Sequence, residues 1–303
     1  MPVSPIDEIL DLIPALAPAE RRVTTLPGGL TNTNYKVDVG GRSYVVRVSG
    51  KDSSLLAIDR EHEHHASVAA AEVGVGAAVV DYIPERSILV LEFIEGQTQS
   101  AEDLRRGDRL AWVADACRRL HGGRRCLGDF DMFEIQARYR RLVGERGFRL
   151  PERYDEFAPQ VLAIREALAV RDEGTVPCNN DLLAENFIDV GDRFRLIDYE
   201  YAGNNDACFE LGNVWSESNL SLAQLDELVT RYYGARLRHK IARARLLGLM
   251  SKYGWTLWAS IQDGVSEIDF DFWSWGMEKY VRAVDEFDGP EFPLLLEEAR
   301  RAD

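Results

Sequence analysis

The sequence predicts an α+β chain of two unequal lobes, residues 1–94 small and β-rich, residues 95–303 larger and mainly helical. Three observations predict it. Between Arg22 and Phe93, extended runs rich in Val, Thr and Tyr alternate with glycine turns. From Ala101 onward, apolar residues recur at helical spacing. Within that helical part a short hairpin, Phe187–Val190 and Phe194–Ile197 around Gly191-Asp192, sits among Asp181, Asn186 and Asp198.

The smaller lobe begins with a short helix over Ile6–Ile13, closed by Pro14 and Pro18. Arg22–Leu26 reads as a strand and Tyr35–Val39 as its hairpin partner. The loop between them carries Gly28, Gly29, Thr31 and Asn32. Two glycines and small polar residues let backbone N–H groups approach a phosphate, and the same residues also suit a plain glycine turn. Ser43–Val48 is a third strand, in which Arg47 either snorkels outward or reaches a phosphate. A helix follows from Ile58 to about Val73 and ends at Gly74 and Gly76. Glu63 is the candidate partner of Arg47, with Glu61 its competitor. His62, His64 and His65 on this helix are read as a charged face, since no further His or Cys makes them a metal set. Strands Ala78–Tyr82 and Ser87–Phe93 complete the lobe.

In the larger lobe, Leu110–Leu120 is helical and stops at His121-Gly122-Gly123, His121 being structural. Arg138–Leu142 and Gln160–Val170 give two more helices around a charged, exposed linker, Gly144–Tyr154. After the hairpin, Tyr201–Asp206 reads as a turn and Phe209–Asn213 enters a helix. Tyr253–Gln262 is helical, with Trp255 and Trp258 on one face; Phe272 and Trp275 repeat the three-residue spacing on the next segment.

A chain of 303 residues buries a full core. Hydrophobic content of 46% and charged content of 29% are those of a globular protein. The net charge of −15 argues against nucleic-acid and anionic-membrane partners, and is compatible with a small cationic one. Cys117, Cys126, Cys178 and Cys208 lack metal spacing and read as reduced, partly buried thiols. The first residues lack the basic stretch of a signal peptide, and no apolar run approaches the ~18 residues of a membrane span, so a cytoplasmic location is expected.

The chemistry concentrates in Val176–Asn213. Phosphoryl transfer needs a carboxylate at the attacking hydroxyl, and an amide oxygen with a second carboxylate at Mg²⁺. The D-x-x-x-x-N from Asp181 to Asn186, the hairpin, and the I-D-x-E of Ile197–Glu200 come in the order and spacing of a kinase catalytic core. They resemble the H-N-D-x-x-x-x-N and I-D-x-E-Y of choline/ethanolamine kinases, within the wider aminoglycoside-phosphotransferase-like kinases. Gly28-Gly29-Leu30-Thr31-Asn32 is similar to their G-G-x-T-N, and Ile58–Glu63 to their I-D-R-x-x-E. Asn179 stands where that family usually has His, and Glu210 where it usually has Asp.

The resemblance implies a bilobal protein-kinase-like fold and an ATP- and Mg²⁺-dependent phosphotransferase. It makes Asp181 the base and Asn186 and Asp198 the metal ligands. It puts Gly28, Gly29, Thr31, Asn32, Arg47 and Glu63 on the ATP phosphates, and Glu92 and Ile94 at a hinge beside the adenine. The tryptophan segment is similar to the family's W-x-L-W-x-x-x-Q … I-x-F pattern. That implies a choline headgroup box of Tyr201, Glu217, Trp255, Trp258, Phe272 and Trp275. Spacing alone reads equally as an aromatic core between two helices. Phe272 and Trp275, where eukaryotic members tend to have Tyr, favour methylated ammonium over ethanolamine. The alternatives are a kinase of another amino alcohol or of an aminoglycoside, and a catalytically inactive choline-binding protein.

Overall fold

The structure, a computed structural model, describes residues 5–17, 20–50 and 55–301. The first helix, α1 (Pro5–Leu10), stops earlier than its sequence suggests. Ile13 and Leu16 instead turn inward with Leu10 and are fully buried; Pro18 lies outside the described residues. Strands β1 (Arg21–Thr25), β2 (Asn32–Val39) and β3 (Arg42–Ser49) follow, then α2 (Arg60–Glu72), β4 (Val79–Ile83) and β5 (Ile88–Glu92). The five strands form one antiparallel sheet in the order β1-β2-β3-β5-β4. Strand alternation decides its faces. Val37, Val39, Tyr44, Val46, Ile88 and Val90 pack with Leu10, Ile13 and Leu16 into a small core. Arg47, adjacent to Val46, points to the opposite face.

Helix α2 starts at Asp59, whose carboxylate accepts from the N–H groups of Glu61 and His62. Its buried face is Glu63, Ala66, Ser67, Ala69 and Ala70. Ala66 and Ala70 join the larger core of the molecule, so this helix ties the sheet region to the helical one.

The helical region runs through β6 (Gln97–Thr98), α3 (Ala101–Leu104), α4 (Arg109–His121), α5 (Met132–Arg146) and α6 (Ala158–Ala169). Helix α5 is three times the length expected from its sequence, since Asp131 caps it seven residues upstream of Arg138 through the Phe133 N–H. The linker expected to be exposed carries a buried residue: Tyr154 stacks on Tyr253 with ring centroids 4.0 Å apart and donates its hydroxyl to the Tyr253 carbonyl. Next come β7 (Val176–Cys178), β8 (Phe187–Asp189), β9 (Phe194–Leu196) and β10 (Gly203–Asn205). The expected hairpin is β8–β9, extended by β6 on its other edge. The expected turn at 201–206 is corrected to strand β10, which pairs antiparallel with β7, Gly203 opposite Cys178.

The chain ends in α7 (Ala207–Glu217), α8 (Leu222–Tyr233), α9 (Arg238–Val265), α10 (Phe272–Phe287) and α11 (Phe292–Arg300). Helix α9 is the spine, buried along most of 239–262, with α5, α7, α10 and α11 packed against it. Gly212 on α7 and Gly248 on α9 let the two backbones touch; a Cβ on Gly212 would lie 2.1 Å from the Ala244 carbonyl oxygen. That contact fixes α7, and with it Glu210, Asn213 and Glu217, against the spine. Among the described residues, no helix is long and apolar enough to cross a membrane.

Candidate active site

The loop from Cys178 to Asn186 joins β7 to β8 and is held mostly by hydrogen bonds to backbone. Glu210, fully buried on α7, accepts the Asn179 N–H on Oε1 and the Asn180 N–H on Oε2, each at 2.8 Å. Asn179 donates its amide to the Asp198 carbonyl at 2.7 Å and accepts the Asp181 N–H on Oδ1 at 3.0 Å. One side chain thus fixes both carboxylate-bearing segments, and the Asn found in place of His braces the loop. Asn180 adopts a left-handed backbone (φ 68°) and sends its amide to the carbonyls of Tyr201 and Gly203. Asn213 accepts the Leu182 N–H at 2.7 Å. Beneath the loop, His121, Cys178 and Glu210 form a buried cluster. There His121 Nδ1 meets the Tyr232 hydroxyl at 2.7 Å, and burial pushes the Cys178 thiol well up, so it keeps its proton. The cluster is hydrogen-bonded support for the loop.

Asn186 donates to the Asp181 carbonyl at 2.7 Å, which turns its amide oxygen the other way. Asp198, also left-handed (φ 64°), follows β9 and receives Arg47 Nη1 at 2.8 Å. The same guanidinium nitrogen donates to Glu63 at 2.6 Å. The choice between Glu61 and Glu63 thus falls to Glu63, with both Arg47 and Glu63 buried. Burial works against the Arg47 charge, but Asp198 and Glu63 outweigh it and hold the guanidinium protonated. Arg60 adds a second cation, 2.7 Å from Glu63 and 3.4 Å from Glu200.

Thr31 and Asn32 donate to the Glu200 carboxylate at 2.8–2.9 Å. Their side chains therefore latch the glycine loop onto the I-D-x-E segment, and Gly28 and Gly29 hold left-handed backbone in it (φ 81° and 102°). Glu92 closes β5 and donates its N–H to the Ala78 carbonyl at 2.9 Å, and Ile94 lies in the connection to β6. Burial, and then the Asp198 charge, push Glu200 up to about 7. Asp181 is raised well above the carboxylate range by burial and by the charges of Glu217, Asp198 and Glu200; Lys279 works in the other direction.

The aromatic residues form one connected set. Trp258 donates its indole N–H to the Tyr201 hydroxyl at 2.8 Å and lies edge-on to Phe272 and Trp275, at 5.8 and 5.6 Å. Trp255 lies edge-on to Tyr201 at 4.9 Å and reaches Phe130 in the core. Tyr201, Trp255, Trp258 and Phe272 are buried, while Trp275 is half-buried. Glu217 is linked to this set through Lys279, which pairs with it and lies 3.9 Å over the Trp275 ring.

Sequence reasoning missed Asn180, Asn213, Arg60 and Lys279. Lys279 was in reach, four residues after Trp275 and so on its helix face.

The chain is similar to known proteins over most of its length. Residues 22–248 match the phosphotransferase enzyme family. A crystal structure of a choline/ethanolamine kinase family protein from Mesorhizobium loti is 30% identical, covers 97% of this chain and 99% of its own, and superposes with a TM-score of 0.85. The choline kinase LicA of Streptococcus pneumoniae is 25% identical, with 94% of this chain and 99% of its own covered and a TM-score of 0.79. Ethanolamine kinase 2 of Mus musculus is 28% identical over 87% of this chain and 76% of its own length. The lobes, the braced D-x-x-x-x-N loop and these matches make the chain a member of the phosphotransferase enzyme family, on its choline/ethanolamine kinase side.

Proposed function

We propose that this phosphotransferase moves the γ-phosphoryl group of ATP to the hydroxyl of choline or ethanolamine. One observation carries the reading. The loop that carries Asp181 is tied to two groups at once: Asn179 bonds both Asp181 and the Asp198 carbonyl on the polar side, and Asn180 bonds the carbonyl of Tyr201, whose hydroxyl accepts from Trp258, on the aromatic side. A hydroxyl bound there sits between a place for phosphate and a place for an amine.

Asp181 holds the substrate hydroxyl and takes its proton, and its raised basicity suits that role. Arg47, kept charged and aimed by Glu63, meets phosphate oxygens alongside the backbone of the Gly28-Gly29 loop. Asn186 and Asp198 supply oxygen donors only, a set that fits Mg²⁺, which when bound neutralises charge on the phosphates. Asn186 is already turned by its bond to the Asp181 carbonyl. Residues 1–94 serve as the nucleotide-covering lobe, with Glu92 to Ile94 at the adenine, and residues 95–303 as the catalytic and substrate lobe. The amine lies against Tyr201, Trp255, Trp258, Phe272, Trp275 and Glu217. The enzyme acts in the cytoplasm on a small amino alcohol. Asn179 and Glu210, the two departures that motivated an inactive binder, both make the bonds the loop needs, so no observation favours that alternative.

The test is ADP release from Mg-ATP with choline, ethanolamine and kanamycin in separate reactions. Turnover with the amino alcohols and none with kanamycin is expected. Turnover with kanamycin alone, or with none of the three by a folded protein that binds ATP, would overturn the reading.

A further inference from the structure

Glu217 and Lys279 lie 62 residues apart and meet where α7 and α10 flank the spine. Their side chains are only 2% and 5% exposed. Lys279 contacts both kinds of group that hold an ammonium ion, a carboxylate through Glu217 and a ring face through Trp275. The second carboxylate oxygen of Glu217, Oε1, is buried without a hydrogen-bond partner. A buried carboxylate needs a cation beside it, and Lys279 supplies one; without Lys279 the carboxylate would draw in the N–H groups of a primary ammonium.

The two candidate substrates differ in what they need from such a site. A primary ammonium is strongly hydrated and must exchange its water for charged acceptors. A trimethylammonium has no N–H and is satisfied by ring faces. Which of them binds better depends on whether Glu217 is an open charge or a neutralised one.

We propose that Lys279 is a specificity-determining residue: by neutralising Glu217 and covering one face of Trp275, it turns the amine pocket from an anionic site into an aromatic one and selects quaternary over primary ammonium. The inference rests on the amino-alcohol kinase reading above. It assigns the selectivity to a charge pair within the pocket, in addition to the replacement of Tyr by Phe272 and Trp275.

Lys279→Met keeps the length of the side chain and removes the charge. The ratio of kcat/KM for choline to that for ethanolamine should fall at least about tenfold, equivalent to ~1.4 kcal/mol, through a lower KM for ethanolamine. Lys279→Arg should keep the wild-type ratio. The double variant Glu217→Gln/Lys279→Met has no open carboxylate and should also keep it; it covers the case in which the lone buried charge of Lys279→Met prevents folding. A ratio unchanged within about twofold in folded Lys279→Met, or a double variant that accepts ethanolamine as well as choline, would overturn the proposal.

Binding is read separately by tryptophan fluorescence with tetramethylammonium and methylammonium as bare headgroups. Lys279→Met should bind methylammonium more tightly relative to tetramethylammonium than wild type does; an unchanged ratio of the two affinities overturns the proposal. Absence of turnover by wild type with either amino alcohol would count against the kinase reading, while these titrations still decide the role of Lys279.

Discussion

The two halves of the site are built differently. On the proposed phosphate side, short loops are pinned by hydrogen bonds: Glu210 holds two backbone N–H groups, Asn179 spans the Asp181 and Asp198 segments, and Arg47 joins Glu63 to Asp198. On the proposed amine side, α7, α9 and α10 bring rings and one charge pair together by packing. The first half positions individual atoms, as phosphoryl transfer demands. The second shapes a volume and sets its polarity, which is what sorting similar headgroups demands. Damage to the first should therefore appear in kcat, and damage to the second in the KM for the amine.

The largest expected effect separates the halves most sharply. Asp181→Asn keeps the shape of the loop but removes the proton acceptor, and kcat should fall about 10³-fold with amine binding retained. Loss of amine binding instead would place Asp181 on the binding side.

Glu210→Ala tests the pinning itself. It strands two buried N–H groups, so unfolding in urea should show a loss of roughly 3–5 kcal/mol. A loss under about 1 kcal/mol would mean the loop is held by other contacts.

Trp258→Ala removes a ring that touches Phe272 and Trp275 and donates to Tyr201. The KM for choline should rise about tenfold or more with little change in the KM for ATP. Equal rises in both would show that the rings are core rather than pocket.

A pH dependence tests the buried charge between the two halves. The folded protein raises Glu200 from 4.5 to about 7. Between those values the folded chain keeps a proton that the unfolded chain has released. The contribution of this group is thus greatest below the unfolded value and is lost as pH rises through about 7. Glu200→Gln has no such slope, so in metal-free buffer it should gain on wild type between pH 5 and pH 8, by ~2 kcal/mol. A pH-independent difference between the two would contradict the burial of that charge.

The contrast also explains what could be read from the sequence. The proposed phosphate side was legible because its chemistry is local: four residues lie between Asp181 and Asn186, and eleven between Asn186 and Asp198, with a hairpin among them. The pairing of Arg47 with Glu63 rather than Glu61 needed the helix phase of α2 fixed against β3. Strand β10 escaped because Gly-Asn-Asn has poor strand propensity, and its pairing with β7 is imposed by the loops around it. Helix α5 was cut short because its arginine-rich turns show little apolar periodicity. The rings of the amine side were visible as i, i+3 pairs. The helix spacing also puts Lys279 on the Trp275 face, but its pairing with Glu217, 62 residues away, leaves no mark in the sequence.

The central claim is a transfer to an alcohol, which ADP release by itself does not separate from ATP hydrolysis. The direct measurement is phosphorus NMR of wild-type protein with Mg-ATP and choline or ethanolamine. A phosphomonoester resonance should grow as the γ-phosphate resonance declines, and should be absent with Asp181→Asn. Inorganic phosphate as the only new resonance, or ATP left intact by a folded enzyme, would contradict the account.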